Sequence, residues 1–214
     1  MRRRQRGLTL ISMMVGLMIS LLVILVMMTS FKTLLAISTE ASREALQDGE
    51  LATSLAALQM DIQGAGFGLD STNQALVQGS ISLTGDAKAL LWRYLDGTTP
   101  VCAGVVERSA SDADSGQVMR VVSRLRSSNC STSADLTSLS WSWGEDLLHF
   151  RNQSTAQLQT SLGQGTCSPF GTLSDAGQHP IVTLTAPSAL EQAGATAASV
   201  SYSVCLLNLS ASGA

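Results

Sequence analysis

The stretch MRRRQRGLTLISMMVGLMISLLVILVMM (residues 1–28) sets Arg2, Arg3, Arg4 and Arg6 against an apolar run that holds no acidic or basic residue from Leu8 to Phe31. A secretory signal peptide has an apolar middle of only about 7–15 residues. At about 1.5 Å per residue this run, as a helix, reaches roughly 36 Å, more than a hydrocarbon core of about 30 Å. It is long enough to span a bilayer and to be kept as an anchor. Beyond it Lys32 stands as a lone cation, so the positive-inside bias holds the first residues in the cytoplasm and exports the rest of the chain.

Helical spacing continues past the span. Leu34, Leu35 and Ile37 are succeeded by Leu51, Leu55, Leu58 and Ile62, the last four at i, i+4, i+7 and i+11, while Glu40, Arg43, Glu44 and Asp48 occupy the other face. One helix of about 55 residues is predicted, with its second half against a domain. Gly49 costs about 1 kcal/mol relative to alanine and marks a place for a bend. The helix is expected to stop at QGAGFG (residues 63–68), where three glycines favour loop conformations.

From residue 69 the pattern changes to period two. SLSWSW alternates Leu139, Trp141 and Trp143 with serines, and SVSYSVCL alternates Val200, Tyr202, Val204 and Leu206 with serines, so each is read as a strand with one buried face. Weaker strand signals lie in ALLWRYL, VCAGVVE, VMRVVSRLR, DLLHFR and IVTLT. The segment RNQSTAQLQTSLGQGTCSPFGTLSDAGQ (residues 151–178) reads as a connector with a long exposed loop. The predicted fold class is α+β, a long N-terminal helix whose first half is transmembrane, packed against an antiparallel β-sheet.

Cys102, Cys130, Cys167 and Cys205 all lie on the exported side, and none has C-x-x-C spacing. Outside the cytoplasm an even set reads as two disulfides. Three connectivities exist; pairing Cys102 with Cys130 and Cys167 with Cys205 closes the shorter loops and is the expected one. Scattered cysteines with only His149 and His179 to assist make a poor zinc site, and no metal or cofactor is expected.

Catalysis has little to work with. G-x-S-x-G, H-E-x-x-H and P-loop signatures are all missing from the chain. His149 reads as a sheet residue and His179, before Pro180, as a solvated turn residue. Gly64, Gly66 and Gly68 come after a helix instead of a strand, which removes a dinucleotide-loop reading. Asp112 and Asp114 in SDADSGQ have calcium-ligand spacing, but an EF-hand would need an acid where Ser123 stands; a looser calcium loop remains beside the plain acidic turn. Arg120, Arg124 and Arg126 fall on one face of a strand, with Met119, Val121 and Leu125 on the other. On an acidic domain such a stripe reads as a solvated face or subunit contact, and nucleic acid is not the expected partner. Met13, Met14, Met18, Met27 and Met28 read as adaptable packing in lipid and between helices, with Gly16 permitting close approach. The expectation is of a chain that is not an enzyme.

The arrangement RRRQRG followed by LTLISMMVGLMIS resembles the class III leader of bacterial type IV pilins and pseudopilins. The resemblance implies a leader of residues 1–7, cleavage by a prepilin peptidase after Gly7, and methylation of the new N-terminus at Leu8. The apolar segment would then serve twice, as an inner-membrane anchor and as the core of a filament. Removing the four leader arginines takes the formal net charge from −3 to −7. Most members of the family carry a glutamate five residues after the cut; Ser12 stands there instead. A buried carboxylate is expensive unless paired, and Ser12 offers neither the cost nor the pairing, which argues against a repeated, major-subunit role. In related systems the subunit lacking this glutamate tends to sit at the tip.

LQMDIQGAGFG also resembles the DIR-x-AG turn of PilW-type minor pilins, with Asp61, Ile62, Ala65 and Gly66 matching. The implied organisation is a leader at 1–7, a transmembrane and filament-core helix at 8–35, an amphipathic continuation at 36–66 and an exported β-rich pilin-like domain at 67–214. The implied role is that of a minor type IV pilin that primes or joins a pilus near its tip, a structural subunit. Its implied partners are other minor and major pilins, prepilin peptidase, the inner-membrane assembly machinery and the membrane. A minor pseudopilin of a type II secretion system is the nearest rival; an anchored periplasmic enzyme and a pilus-borne adhesin are the more distant ones.

Overall fold

The computed structural model describes residues 10–70, 74–85, 87–112, 116–150, 155–167, 177–189 and 199–210. Helix α1 runs Leu10–Gln63 without interruption at Gly49. Two compact units divide the chain between Leu46 and Gln47.

In the first unit the apolar side chains of α1 from Leu10 to Ile37 are exposed. The hydroxyls among them bond back to the helix: Ser20 Oγ donates to the Gly16 carbonyl (2.9 Å), Thr29 Oγ1 to Val26 (2.9 Å) and Thr33 Oγ1 to Thr29 (3.0 Å). These three hydroxyls thus find their acceptors within the helix, as an apolar surround favours. Among the described residues α1 is the one helix long and apolar enough to cross a membrane.

The second unit begins inside α1. Leu51, Leu55, Leu58 and Ile62 are each at most 1% exposed and form the buried face that the i, i+4, i+7, i+11 spacing predicts. They meet two antiparallel sheets. Five strands, β1 (Leu76–Ser80), β2 (Lys88–Asp96), β3 (Thr99–Ser111), β4 (Val118–Ser127) and β5 (Trp141–Phe150), lie in chain order. Three more, β6 (Gln159–Thr166), β7 (Gln178–Ala186) and β8 (Val200–Cys205), form a second sheet in chain order. The helix stripe packs with Leu90, Trp92, Val105, Val122, Leu148 and Phe150 of the larger sheet and with Val182, Leu184 and Val204 of the smaller. The fold is α+β and pilin-like, a long N-terminal helix against antiparallel sheet.

The larger sheet is buried on its other face too, which explains the unbroken apolar run ALLW in β2. Ala89 and Leu91 point away from Leu90 and Trp92 into a second cluster with Val106, Leu125, Leu136, Leu139 and Trp141. The segment covering this face is closed by the Cys102–Cys130 disulfide (Cα–Cα 5.4 Å); Cys167–Cys205 (Cα–Cα 6.1 Å) joins the end of β6 to β8.

Four expectations are corrected. The connector after residue 151 contains a strand: β6 pairs with β7 at eight successive positions, yet it carries no alternation because most of its residues are exposed on both faces. The structure also contains β1, a short strand with a glycine in it, among residues where the periodicity gives no strand signal. Trp143 does not share the burial of Leu139 and Trp141; it is 42% exposed on edge strand β5, under the Arg108 guanidinium 5.1 Å from its ring. His179 is not a solvated turn residue. It lies in β7, 8% exposed, with Nδ1 2.7 Å from the Leu209 carbonyl oxygen.

Candidate functional site: the N-terminal helix and its seat on the sheets

Gly7 and Leu8, the expected cleavage and methylation positions, lie outside the described residues. Ser12 and Gly16 are on the exposed surface of α1. A Cβ built on Gly16 would meet nothing within 4 Å, so within this chain the position is open, as a helix–helix approach needs.

At its other end the helix is pinned by polar contacts on either side of the apolar stripe. Asp48 Oδ1 accepts from the Ala189 amide (2.7 Å), Ser54 Oγ donates to the Leu147 carbonyl (2.7 Å), and Asp61 Oδ2 accepts from Arg124 Nη2 (2.6 Å). The residues matching the DIR-x-AG turn each have a physical task here. Asp61 takes the arginine, Ile62 and Ala65 are fully buried, and Gly66 adopts φ 78°. A Cβ on Gly66 would stand 2.3 Å from Leu209 Cδ2, so both the backbone and the neighbour demand glycine. The Gly66 amide then donates to the Arg93 carbonyl (2.8 Å), tying the turn to β2.

The arginine stripe of β4 faces inward, toward carboxylates. Arg120 Nε bonds Glu107 (2.9 Å), and Arg124 bonds Asp61 and Glu145 (3.3 Å). This corrects the expectation of a solvated face: of the three, Arg126 alone makes no ion pair among the described residues. A phosphate backbone would find most of this positive charge already neutralised.

Two charged residues missed by sequence reasoning organise the domain. Arg93, 2% exposed, donates from Nη1 to the Ser131 carbonyl (2.6 Å) and from Nη2 to that of Ala134, holding the segment that covers the back of the sheet. Its burial lowers its pKa, with Asp135 opposing. Glu107 accepts from Arg120 and from the amides of Gln157 (2.9 Å) and Leu158 (2.6 Å), so it joins β3 to the approach of β6. Beside it Gln78 Nε2 donates to the Thr160 carbonyl (3.0 Å). The available signal was a charge set in an apolar run at Arg93 in LLWRYL; Glu107, followed at once by Arg108 in VVER, offered none as clear.

His149 sits in β5, with Nδ1 4.0 Å from Glu50. The Gly116 amide donates to the Asp112 carbonyl (2.9 Å); Asp114 is outside the described residues, and among those described no group of three His, Cys, Asp or Glu side chains could hold a metal ion.

Residues 2–28 match the family model described as the prokaryotic N-terminal methylation motif. The chain therefore carries a prepilin-type N-terminus. No curated protein and no solved structure matches it. The motif is that of type IV pilins and pseudopilins, structural subunits processed by prepilin peptidase, and it fits the long apolar helix as a single-pass anchor.

Proposed function

We propose that the chain is a minor type IV pilin of the PilW type, cleaved after Gly7, methylated at Leu8 and inserted at or near the tip of a pilus to prime its assembly. The observation that carries this reading is continuity. From Leu10, inside the methylation motif at residues 2–28, one helix runs to Gln63 and carries the core residues Leu51, Leu55, Leu58 and Ile62. A removable signal peptide would have no reason to be the first half of the element that organises the domain. Residues 1–7 are the leader, 8–35 the anchor and later filament core, 36–66 the continuation, and 67–214 the exported domain. The chain is the peptidase's substrate and catalyses nothing; its work is to pack.

Ser12 supports a non-repeated position, since a docking carboxylate is missing where most family members have one. The partners are the other minor and major pilins and the inner-membrane assembly machinery. Mass spectrometry of the N-terminal peptide from sheared surface filaments tests processing, methylation and location together. N-methylated Leu8 is expected; an intact Met1, or a cut beyond residue 30, overturns the reading. Deletion should abolish surface piliation. Loss of protein secretion with intact pili would assign the chain to a type II secretion system instead.

A further inference from the structure

The two disulfides join cysteines that are neighbours in the chain, Cys102 with Cys130 and Cys167 with Cys205. Loop length alone does little to keep Cys130 from Cys167, because that bridge would close a loop of similar size and closure entropy grows only slowly with the number of residues enclosed. Packing selects the pairs, and the packing is local in sequence. Strand register sets Cys102 opposite Ser127, shortly before Cys130. Arg93 holds the backbone just beyond Cys130 by donating to the Ser131 and Ala134 carbonyls. The apolar cluster around this bridge draws its members from Val77 to Trp141, so the contacts that bring Cys102 to Cys130 all precede Cys167 in the chain. The second pair is placed as locally: Cys167 directly follows β6, and Cys205, at the end of β8, pairs with Ile181 of β7.

Burial fixes when the bridges can be made. In the folded domain Cys102 is 2% and Cys167 3% exposed, one member of each pair. A thiol so enclosed is inert and out of an enzyme's reach. An enzyme that makes these bridges therefore acts before the surrounding layer closes, and one that reshuffles them has no entry afterwards.

We propose that the chain is the substrate of a periplasmic dithiol–disulfide oxidase that works on it in order of emergence, closing Cys102–Cys130 before Cys167–Cys205, and that no disulfide isomerase is needed. The proposal rests on the exported topology contained in the proposed function. A thiolate of the chain attacks the oxidase's disulfide and expels one of its sulfurs. The partner cysteine's thiolate then attacks the chain sulfur of that mixed disulfide, and the oxidase's other sulfur leaves. One S–S bond breaks and one forms, two electrons and two protons pass to the oxidase, and the compartment's oxidant restores it.

The test follows full-length chain made in a short pulse in cells, with thiols quenched by acid, free cysteines alkylated and the bridges read by peptide mass spectrometry. Species with one bridge should carry Cys102–Cys130, and Cys167–Cys205 should appear after it. Loss of the oxidase should leave all four thiols free, whereas loss of the isomerase should change neither the order nor the yield. Cys167→Ser with Cys205→Ser should still close Cys102–Cys130 at the wild-type rate, because the cluster around that bridge includes neither residue. A Cys130–Cys167 species or a fall in yield when the isomerase is missing, closure of Cys167–Cys205 first, or native bridges formed without the oxidase overturns the proposal and leaves the topology standing. Four thiols that stay free in cells with an intact oxidase would sink the exported topology, and the pilin reading with it. An intact Met1 on a chain oxidised in the expected order would sink the pilin reading alone.

Discussion

Glu107→Ala should cost the domain about 4 kcal/mol. The carboxylate is 6% exposed and faces Arg120, itself 14% exposed, with two backbone amides, those of Gln157 and Leu158, converging on the same oxygens. Removing it leaves a nearly buried guanidinium and two amides without their acceptor. Breaking a buried pair costs about 3–5 kcal/mol, and each orphaned donor about 1–3 kcal/mol. These losses overlap, because water entering the vacated space would serve several donors at once, so the lower part of their sum is the expectation. Against a total stability of about 5–15 kcal/mol this is severe; at about 2–4 °C per kcal/mol for a chain of this size, the thermal midpoint should fall by roughly 10 °C. Full-length chain in detergent, unfolded by urea, gives the measurement. Glu107→Gln keeps one acceptor oxygen but brings an amide donor toward other donors, and should fall between the wild type and the alanine variant. A double-mutant cycle with Arg120→Met should show strong coupling. If Glu107→Ala lowers stability by less than about 1 kcal/mol, the joint between the sheets does not depend on this carboxylate and the reasoning fails.

Gly66→Ala should destabilise by roughly 3 kcal/mol, combining a left-handed backbone cost of about 1–2 kcal/mol with overpacking against Leu209; an unchanged urea midpoint would contradict the geometry. Cys102→Ser with Cys130→Ser opens a loop spanning 28 residues, and the chain-entropy estimate gives a loss of about 3–4 kcal/mol, readable in the same titration. For Asp146, partial burial raises the carboxyl pKa, but hydrogen bonds from Ser123 and Arg108 outweigh it, so the folded value lies below the usual carboxylate range. The stability it contributes is therefore present above the unfolded pKa and is lost as pH falls through the folded one. Comparing wild type with Asp146→Asn at neutral and acid pH should show the wild type losing more, and parallel curves would refute the assignment.

The helix and its stripe were legible because both follow from spacing alone: Leu51, Leu55, Leu58 and Ile62 announce a buried face before any partner is known. Strands with one buried face were legible for the same reason, as Tyr202 and Val204 show. β6 was not, because a strand exposed on both faces has no alternation to read and is defined by its partner β7. Arg93 and Glu107 were hidden by a different circumstance. Their value depends on carbonyls and amides 38 to 51 positions away in the chain, and backbone groups leave no mark in a sequence. The arginine stripe shows the converse error, where periodicity gave the shared face correctly but could not say that Glu107 and Asp61 would be waiting on it.

The polar pins along α1 complete what the apolar stripe begins. A stripe of leucines fixes which face of a helix is buried, yet tolerates sliding along the axis, since one leucine resembles the next. A slip of one residue moves the helix by about 1.5 Å and rotates it by about 100°, far outside the reach of the contacts made by Asp48, Ser54 and Asp61 at 2.6–2.7 Å. These three span almost four turns and bond to three different partners, Ala189, Leu147 and Arg124, so no single shift can restore them together. In the described first unit Ser20, Thr29 and Thr33 bond back to their own helix, and its apolar side chains are exposed, so they can exchange one apolar surround for another while the register of the helix on the sheets stays fixed. That division of labour within a single element is what a subunit needs if it must leave a bilayer for a filament without unfolding.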